Sequence, residues 1–147
     1  VPLELKEGEI RGKACENSEM IIYGYYPMMI SAQCVKKNCG ICDHRSSAVD
    51  LKDRYGQNFR VQSFCDFCYN VIYNSVPTGL LQEADGVSAL GVKAFRMNFT
   101  FESGSRTREL LEAFTSVYGT TGDKNEKKKP VHHDYNFTKG HWKRGVE

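Results

Sequence analysis

The chain lacks any apolar run approaching the roughly 20 residues that a membrane-spanning helix needs, and no signal-peptide pattern opens it. It lacks an excess of charge. Twenty Lys and Arg stand against 18 Asp and Glu, a formal net charge of +2. That balance argues neither for nor against a polyanionic partner. Two hydrolase signatures are missing as well, the His-Glu-x-x-His helix of zinc proteases and the Gly-x-Ser-x-Gly nucleophile elbow. No Met precedes Val1, so we expect a piece of a longer protein, with any targeting signal upstream. No internal repeat is present. A 40% hydrophobic and 12% aromatic content across 147 residues excludes a disordered chain and suits one domain of ordinary size.

What the chain does hold is cysteine. Five of its six cysteines lie in "CVKKNCGIC" (34–42) and "CDFC" (65–68). Three disulfides in a secreted domain are the lesser expectation, because such domains are usually smaller and poorer in core residues. Clustered Cys-x-x-Cys spacing points to zinc or an iron–sulfur cluster in a reducing compartment. Cys39-x-x-Cys42 and Cys65-x-x-Cys68, 22 residues apart, match the two knuckles of a zinc ribbon. Cys34, Cys42, Cys65 and Cys68 make four equally well, and spacing does not choose between the sets. Four thiolates form a soft tetrahedral site that commonly only staples a loop. Cys15, alone among charged residues, reads as a buried free thiol. His44 is either a substitute ligand or an exposed neighbour.

Along the chain, residues 4–15 read as a short surface helix, weakened by Gly8 and Gly12. "EMIIYG" (19–24) reads as a buried strand and "YYPMMIS" (25–31) as a turn or short helix. Residues 48–62 read as a hairpin turning at "YGQN", 69–75 as a strand, 78–90 as a helix and 92–101 as a strand. The amphipathic run 105–118 is the best helix, with Ser105 as its N-cap and Leu110, Leu111, Phe114, Val117 and Tyr118 as one stripe. Residues 119–130 read as a linker or surface loop, and 131–147 as a basic and aromatic tail. Asn98 and Asn136 head "NFT" sequons; the first lies in an apolar strand where a glycan is not expected. Strands alternating with helices indicate an α/β fold. Too few strands are present to close a barrel, so we expect the end of a larger one.

"YGYYPMMISAQC", "LKDRYGQNFRVQSFCDFCYNVIYNS" and "RMNFTFE", with the ending "GHWKRGVE", resemble the collagenase-like peptidases of family U-thirty-two. The resemblance implies that residues 1–118 are the C-terminal part of a (β/α)8 TIM-type barrel, with a cysteine-rich β-hairpin insertion at 34–68. It implies a 4Fe–4S cluster on Cys34, Cys42, Cys65 and Cys68, with Cys39 additional. Branches of that family support oxygen-independent hydroxylation, as in tRNA or rRNA base modification. The expectations are therefore an RNA substrate, the N-terminal remainder of the barrel as partner, and the cytoplasm as location. The alternatives are a collagenase-like peptidase acting on a peptide and a zinc-ribbon module that binds nucleic acid or protein. A nucleophile pair of Cys15 or Cys39 with His44 is conceivable for the peptidase, but cysteines beside a metal site are usually ligands.

Further candidates depend on the barrel. Tyr23, Tyr25 and Tyr26 end a strand, where barrel active sites are built. Glu102, past the last strand, is the carboxylate placed for acid–base work. Arg96 and Asn98 share one face of that strand as substrate-phosphate candidates; a salt bridge at the solvent end is the alternative for Arg96. His141, Trp142, Lys143 and Arg144 would stack on bases and neutralise phosphates, or form a docked arm. The "KNEKKK" run is expected to be a solvated loop.

Overall fold

The computed structural model describes residues 1–119 and 135–144. In chain order the elements are α1 (Glu7–Ile10), β1 (Glu19–Gly24), β2 (Pro27–Ser31), α2 (Val35–Asn38), β3 (Ser47–Lys52), β4 (Asn58–Phe64), β5 (Tyr69–Tyr73), β6 (Thr78–Gly79), a 3-10 turn (Leu81–Glu83), α3 (Ala84–Ser88), β7 (Ala94–Asn98) and α4 (Gly104–Tyr118). They divide between two compact units: Val1–Gly24 with the chain from Thr78 onward, and Tyr25–Pro77. Among the described residues, no helix is long and apolar enough to cross a membrane.

The first unit is built on a three-stranded sheet with β1 at its centre, parallel to β7 and antiparallel to β6. A run of Met20, Ile22 and Tyr23 makes β1 a central strand, because a strand covered in this way must be apolar. The register to β7 slips between Ile21 and Tyr23, which turns Tyr23 as well as Ile22 into the core. At Gly24 a Cβ would stand 2.8 Å from the carbonyl oxygen of Asn98, so the parallel strands approach closely only because it is glycine. Helix α4 buries Leu110, Ala113 and Phe114. Leu110 and Phe114 form one core with Ile10, Cys15, Met20, Ile22, Tyr23, Leu80, Val87 and Trp142.

The stretch 135–144 belongs to this core as a docked arm. Gly79 donates its N–H to Thr138 at 3.0 Å, Glu7 donates to the carbonyl of Trp142 at 2.8 Å, and Trp142 is 3% exposed. Lys139 hydrogen-bonds Glu83, and Lys143 lies 3.6 Å from the same carboxylate. The Lys139 bond, chiefly, holds the Glu83 carboxyl below its ordinary range. A lowered carboxyl contributes stability above its unfolded pKa, and that stability is lost as pH falls through the folded pKa. Glu83→Gln is therefore expected to weaken the fold near neutral pH and to match wild type in acid, once the pH has fallen through the lowered folded pKa of Glu83. Denaturation at both pH values, followed by the fluorescence of Trp142, the one tryptophan, checks this. An equal loss at both would mean that the ion pair is not responsible.

The second unit is a four-stranded antiparallel sheet ordered β2-β5-β4-β3. The β3–β4 turn is held by Asp53, whose Oδ1 accepts the N–H groups of Tyr55 and Gln57 at 2.8 Å each, and Gly56 takes a φ of 85°.

Several sequence expectations are corrected here. "YYPMMIS" supplies a strand, since Pro27 occupies the first position of an edge strand, where its missing N–H leaves no ladder bond unmade. The strand at 69–75 joins this antiparallel sheet and not the parallel one. The insertion is accordingly a whole sheet, not a hairpin. The expected helix at 4–15 is a single turn. The expected helix at 78–90 breaks into β6, a 3-10 turn and the short α3. Ser103, not Ser105, caps α4: its extended backbone lets Oγ accept the N–H of Arg106 at 3.3 Å, while Gly104 and Ser105 are already helical. Asn98 is exposed at the end of β7 instead of enclosed. The described residues form two sheets and not a closed barrel. Residues 120–134, which hold most of the linker and the "KNEKKK" run, lie outside the described residues.

Candidate metal centre

Cys34, Cys42, Cys65 and Cys68 are all carried at one end of the four-stranded sheet. Cys34 caps α2 just beyond β2, Cys42 precedes β3, and Cys65 and Cys68 bound the turn from β4 to β5. The ladder explains the grouping, because Ser31 pairs with Asn70 and Ser47 with Ser63, so these strand ends lie side by side. All six cysteines are free.

Buried polar contacts frame the site. Asn70, fully buried, donates to the carbonyl of Gln33 at 2.6 Å and accepts from Ser63 at 2.9 Å. That pins the residue before Cys34 to the strand after Cys68. The N–H of Cys65 donates to Ser46 Oγ at 3.0 Å. In the turn, the N–H of Cys68 points to the carbonyl of Cys65 at 3.4 Å. Lys36, 3% exposed, spends its ammonium protons on Asp43, on the carbonyl of Arg45 at 2.9 Å and on Ser47 Oγ at 3.1 Å. Among the described residues, His44 (φ 58°) and Cys68 (φ 51°) are the non-glycine residues with positive φ. Both sit in the cysteine-bearing loops, and backbone strain of this kind collects at functional sites.

The electrostatics follow from this packing. Burial pushes the Cys65 thiol up, the Lys36 charge opposes that rise, and Cys42 and Cys34 are near enough to add to it. The hydrogen bond to Asp43, chiefly, raises Lys36, with help from Cys65 and Cys42. The same bond lowers Asp43. Four free soft thiols on neighbouring turns, with the buried Lys36 tied to the loop that follows Cys42, are donor chemistry that suits a thiolate-held zinc or iron–sulfur centre. Among the described residues, no three Cys, His, Asp or Glu side chains converge closely enough to hold an ion as they stand. The site is thus a frame that brings the cysteine-bearing turns together. Cys39 is exposed at the C-cap of α2, and Cys15 is buried in the core of the first unit.

The remaining sequence candidates belong to the first unit. Tyr23 donates its hydroxyl proton to Glu102 at 2.6 Å, so the two residues singled out for chemistry meet. The other oxygen of Glu102 accepts the N–H groups of Thr100 and Phe101 at 2.6 and 2.9 Å. Three donors on one carboxylate tie it to closing the loop after β7. Arg96, about half exposed, pairs with Glu19 at 2.7 Å, the salt-bridge alternative, and Asn98 shares its face. Trp142 is buried, so that ring does not offer a stacking surface for a base, whereas Lys143 and Arg144 are exposed. Lys36, Asp43, Ser46, Ser63 and Asn70 were not singled out from sequence. Their roles depend on burial, and nothing in their residue types announces it.

No protein-family model, curated protein or solved structure matches the chain.

Proposed function

We propose that residues 25–77 are a cysteine-ligated metal module, with Cys34, Cys42, Cys65 and Cys68 as ligands of a 4Fe–4S cluster. The observation that carries this reading is the strand register that brings the turns bearing Cys34, Cys42, Cys65 and Cys68 to one end of the four-stranded sheet. It favours Cys34 over Cys39 as fourth ligand and fits a compartment where thiols stay reduced, the cytoplasm. Such a cluster supplies single-electron transfer when bound. The chain's own residues hold it: Asn70 fixes the approach to Cys34, Ser46 fixes the backbone of Cys65, and Lys36 ties down the loop after Cys42.

The fuller reading joins this module to the parallel β1–β7 pair, taken as an arc of a (β/α)8 barrel completed by an N-terminal remainder. The enzyme so formed would hydroxylate an RNA base without oxygen. Its support is the resemblance in the cysteine-bearing tract, and Tyr23 with Glu102 lies at the strand ends where a barrel places its chemistry.

Anaerobic purification with iron, sulfide and zinc analysis tests the module. About four iron and four sulfide per chain are expected. One zinc without iron would replace the cluster by the structural zinc module. Cleavage of gelatin by the pure protein, unaffected by loss of the metal, would instead favour the peptidase.

A further inference from the structure

The two edges of the four-stranded sheet are built differently. β3, at one edge, carries Asp50 and Lys52, both exposed, and Asp50 pairs with Arg60 of β4 at 3.3 Å. Exposed charge of this kind keeps an edge strand from pairing with another chain. β2, at the other edge, has no such protection. No Asp, Glu, Lys or Arg stands between Glu19 and Lys36. Its middle residues are instead Met28, Met29 and Ile30, which are 61%, 57% and 72% exposed.

A strand has hydrogen-bonding groups along both of its sides. Among the described residues, β2 pairs with β5 alone, so its outer row of N–H and C=O groups is a template for one more strand. The register slip is confined to the start of β2, between Pro27 and Met29. From there Met29, Ile30 and Ser31 pair with Ile72, Val71 and Asn70 in unbroken order, and the edge is regular. Met29 and Ile30 are successive and stand on opposite faces of the sheet, so an added strand would cover apolar surface on both.

An edge of backbone groups selects a strand as its occupant. Its neutrality selects an uncharged strand, because a charged side chain set opposite would find no counter-charge. A second copy of β2 meets both conditions and is self-complementary when it runs antiparallel. In the register centred on Met29, that residue lies opposite its own copy on the twofold axis, and Met28 lies opposite Ile30 of the second copy. Both open edges are used up in this pairing. The edges left outside are the charged β3 strands, so association closes at two chains.

We propose that β2 is a self-association edge, at which two copies of the chain pair β2 to β2 about a twofold axis and join their sheets into one. The inference goes beyond the metal reading and does not depend on it. A strand of five residues makes a contact small beside the roughly 1,200–2,000 Å² of a stable complex, so micromolar self-association is expected.

The test is sedimentation equilibrium of the 147-residue chain in excess reductant, so that intermolecular disulfides do not contribute. Wild type is expected to pass from monomer to dimer as concentration rises. Met29→Lys and Met29→Glu, each alone, are expected to weaken the dimer by more than about 10-fold, because like charges then meet on the axis. An equimolar mixture of the two is expected to recover it as a heterodimer. Hydrogen exchange of the wild-type amides from 29 to 31 is expected to slow over the same concentration range. A wild type still monomeric at about 1 mM, where a micromolar affinity is saturated, would overturn the proposal. So would a dimer that both variants leave intact, a mixture that does not recombine, or oligomers that keep growing past two chains. Met29 is more than half exposed, so neither substitution disturbs a packed core. Should either variant still fail to fold, the exchange measurement decides alone, and a wild-type dimer with unslowed β2 amides overturns the proposal.

Discussion

Cys65→Ala is expected, on the cluster and hydroxylase reading proposed above, to abolish metal binding and, in the protein as the cell makes it, RNA base hydroxylation. Cys65 is where the frame converges. Its N–H is held by Ser46, its thiol lies within electrostatic reach of Cys34, Cys42 and Lys36, and it opens the turn that presents Cys68. Removing one of four thiolates leaves an open, unbalanced site, so retention should fall by more than the roughly 10–100-fold that outer-shell changes produce. Three companion variants make the result specific. Cys34→Ala should lose metal in the same way. Cys39→Ala should keep it, because Cys39 is exposed beyond the last turn of α2. Cys15→Ala should keep it as well, Cys15 being part of the core of the first unit. Metal retained by Cys34→Ala but lost by Cys39→Ala would select the zinc-ribbon set. Normal RNA modification in cells carrying only Cys65→Ala would end the hydroxylase reading, whatever metal the wild-type protein holds.

The two cysteine clusters in that argument were legible in the sequence, but the preference for Cys34 over Cys39 came from the resemblance and not from spacing, and the surroundings of the cysteines were not legible at all. Periodicity located β1, the β3–β4 hairpin, β5 and α4, because each carries its own pattern: a short apolar run, alternation about a glycine turn, or a stripe at helical spacing. It failed at β2, where Met28, Met29 and Ile30 are all exposed and offer no alternation. It failed again at 78–90, where a buried Val87 and Leu80 mimic a helical stripe although a two-residue strand, a 3-10 turn and a short helix share the work. The pairing of sheets is a non-local property. Nothing in "YNVIY" says that it joins β4 and β2 rather than β1, since the partner is chosen by what the intervening turns allow. The same limit applies to the site. "KK" at 36–37 is a charge run in sequence, and only the turn of α2 sends one lysine inward and the other out. Asn70 likewise resembles any strand-end asparagine until Gln33 and Ser63 are seen to close around it.

Phe114→Ala is expected to be the most damaging single truncation in the first unit, at about 3–5 kcal/mol. Phe114 is 1% exposed. Its ring meets Tyr23 edge-on with centroids 5.7 Å apart, stacks near Tyr118 at 6.0 Å and tilts toward Phe137 at 6.2 Å. It therefore joins α4 to the central strand and to the docked arm at once, and an alanine would leave a cavity bordered by three rings that cannot all collapse into it. A loss of that size is a large fraction of the roughly 5–15 kcal/mol that holds a domain together. Leu111 belongs to the same apolar stripe in sequence but is 43% exposed, so Leu111→Ala should cost about 0.5 kcal/mol. Denaturant unfolding followed by Trp142 fluorescence measures both, since Trp142 lies in the same core. Equal costs at the two positions would mean that α4 is not docked through Phe114. The arm would then have no aromatic seat between Tyr23 and α4, and the parallel pair β1–β7 would lose the helix that covers it.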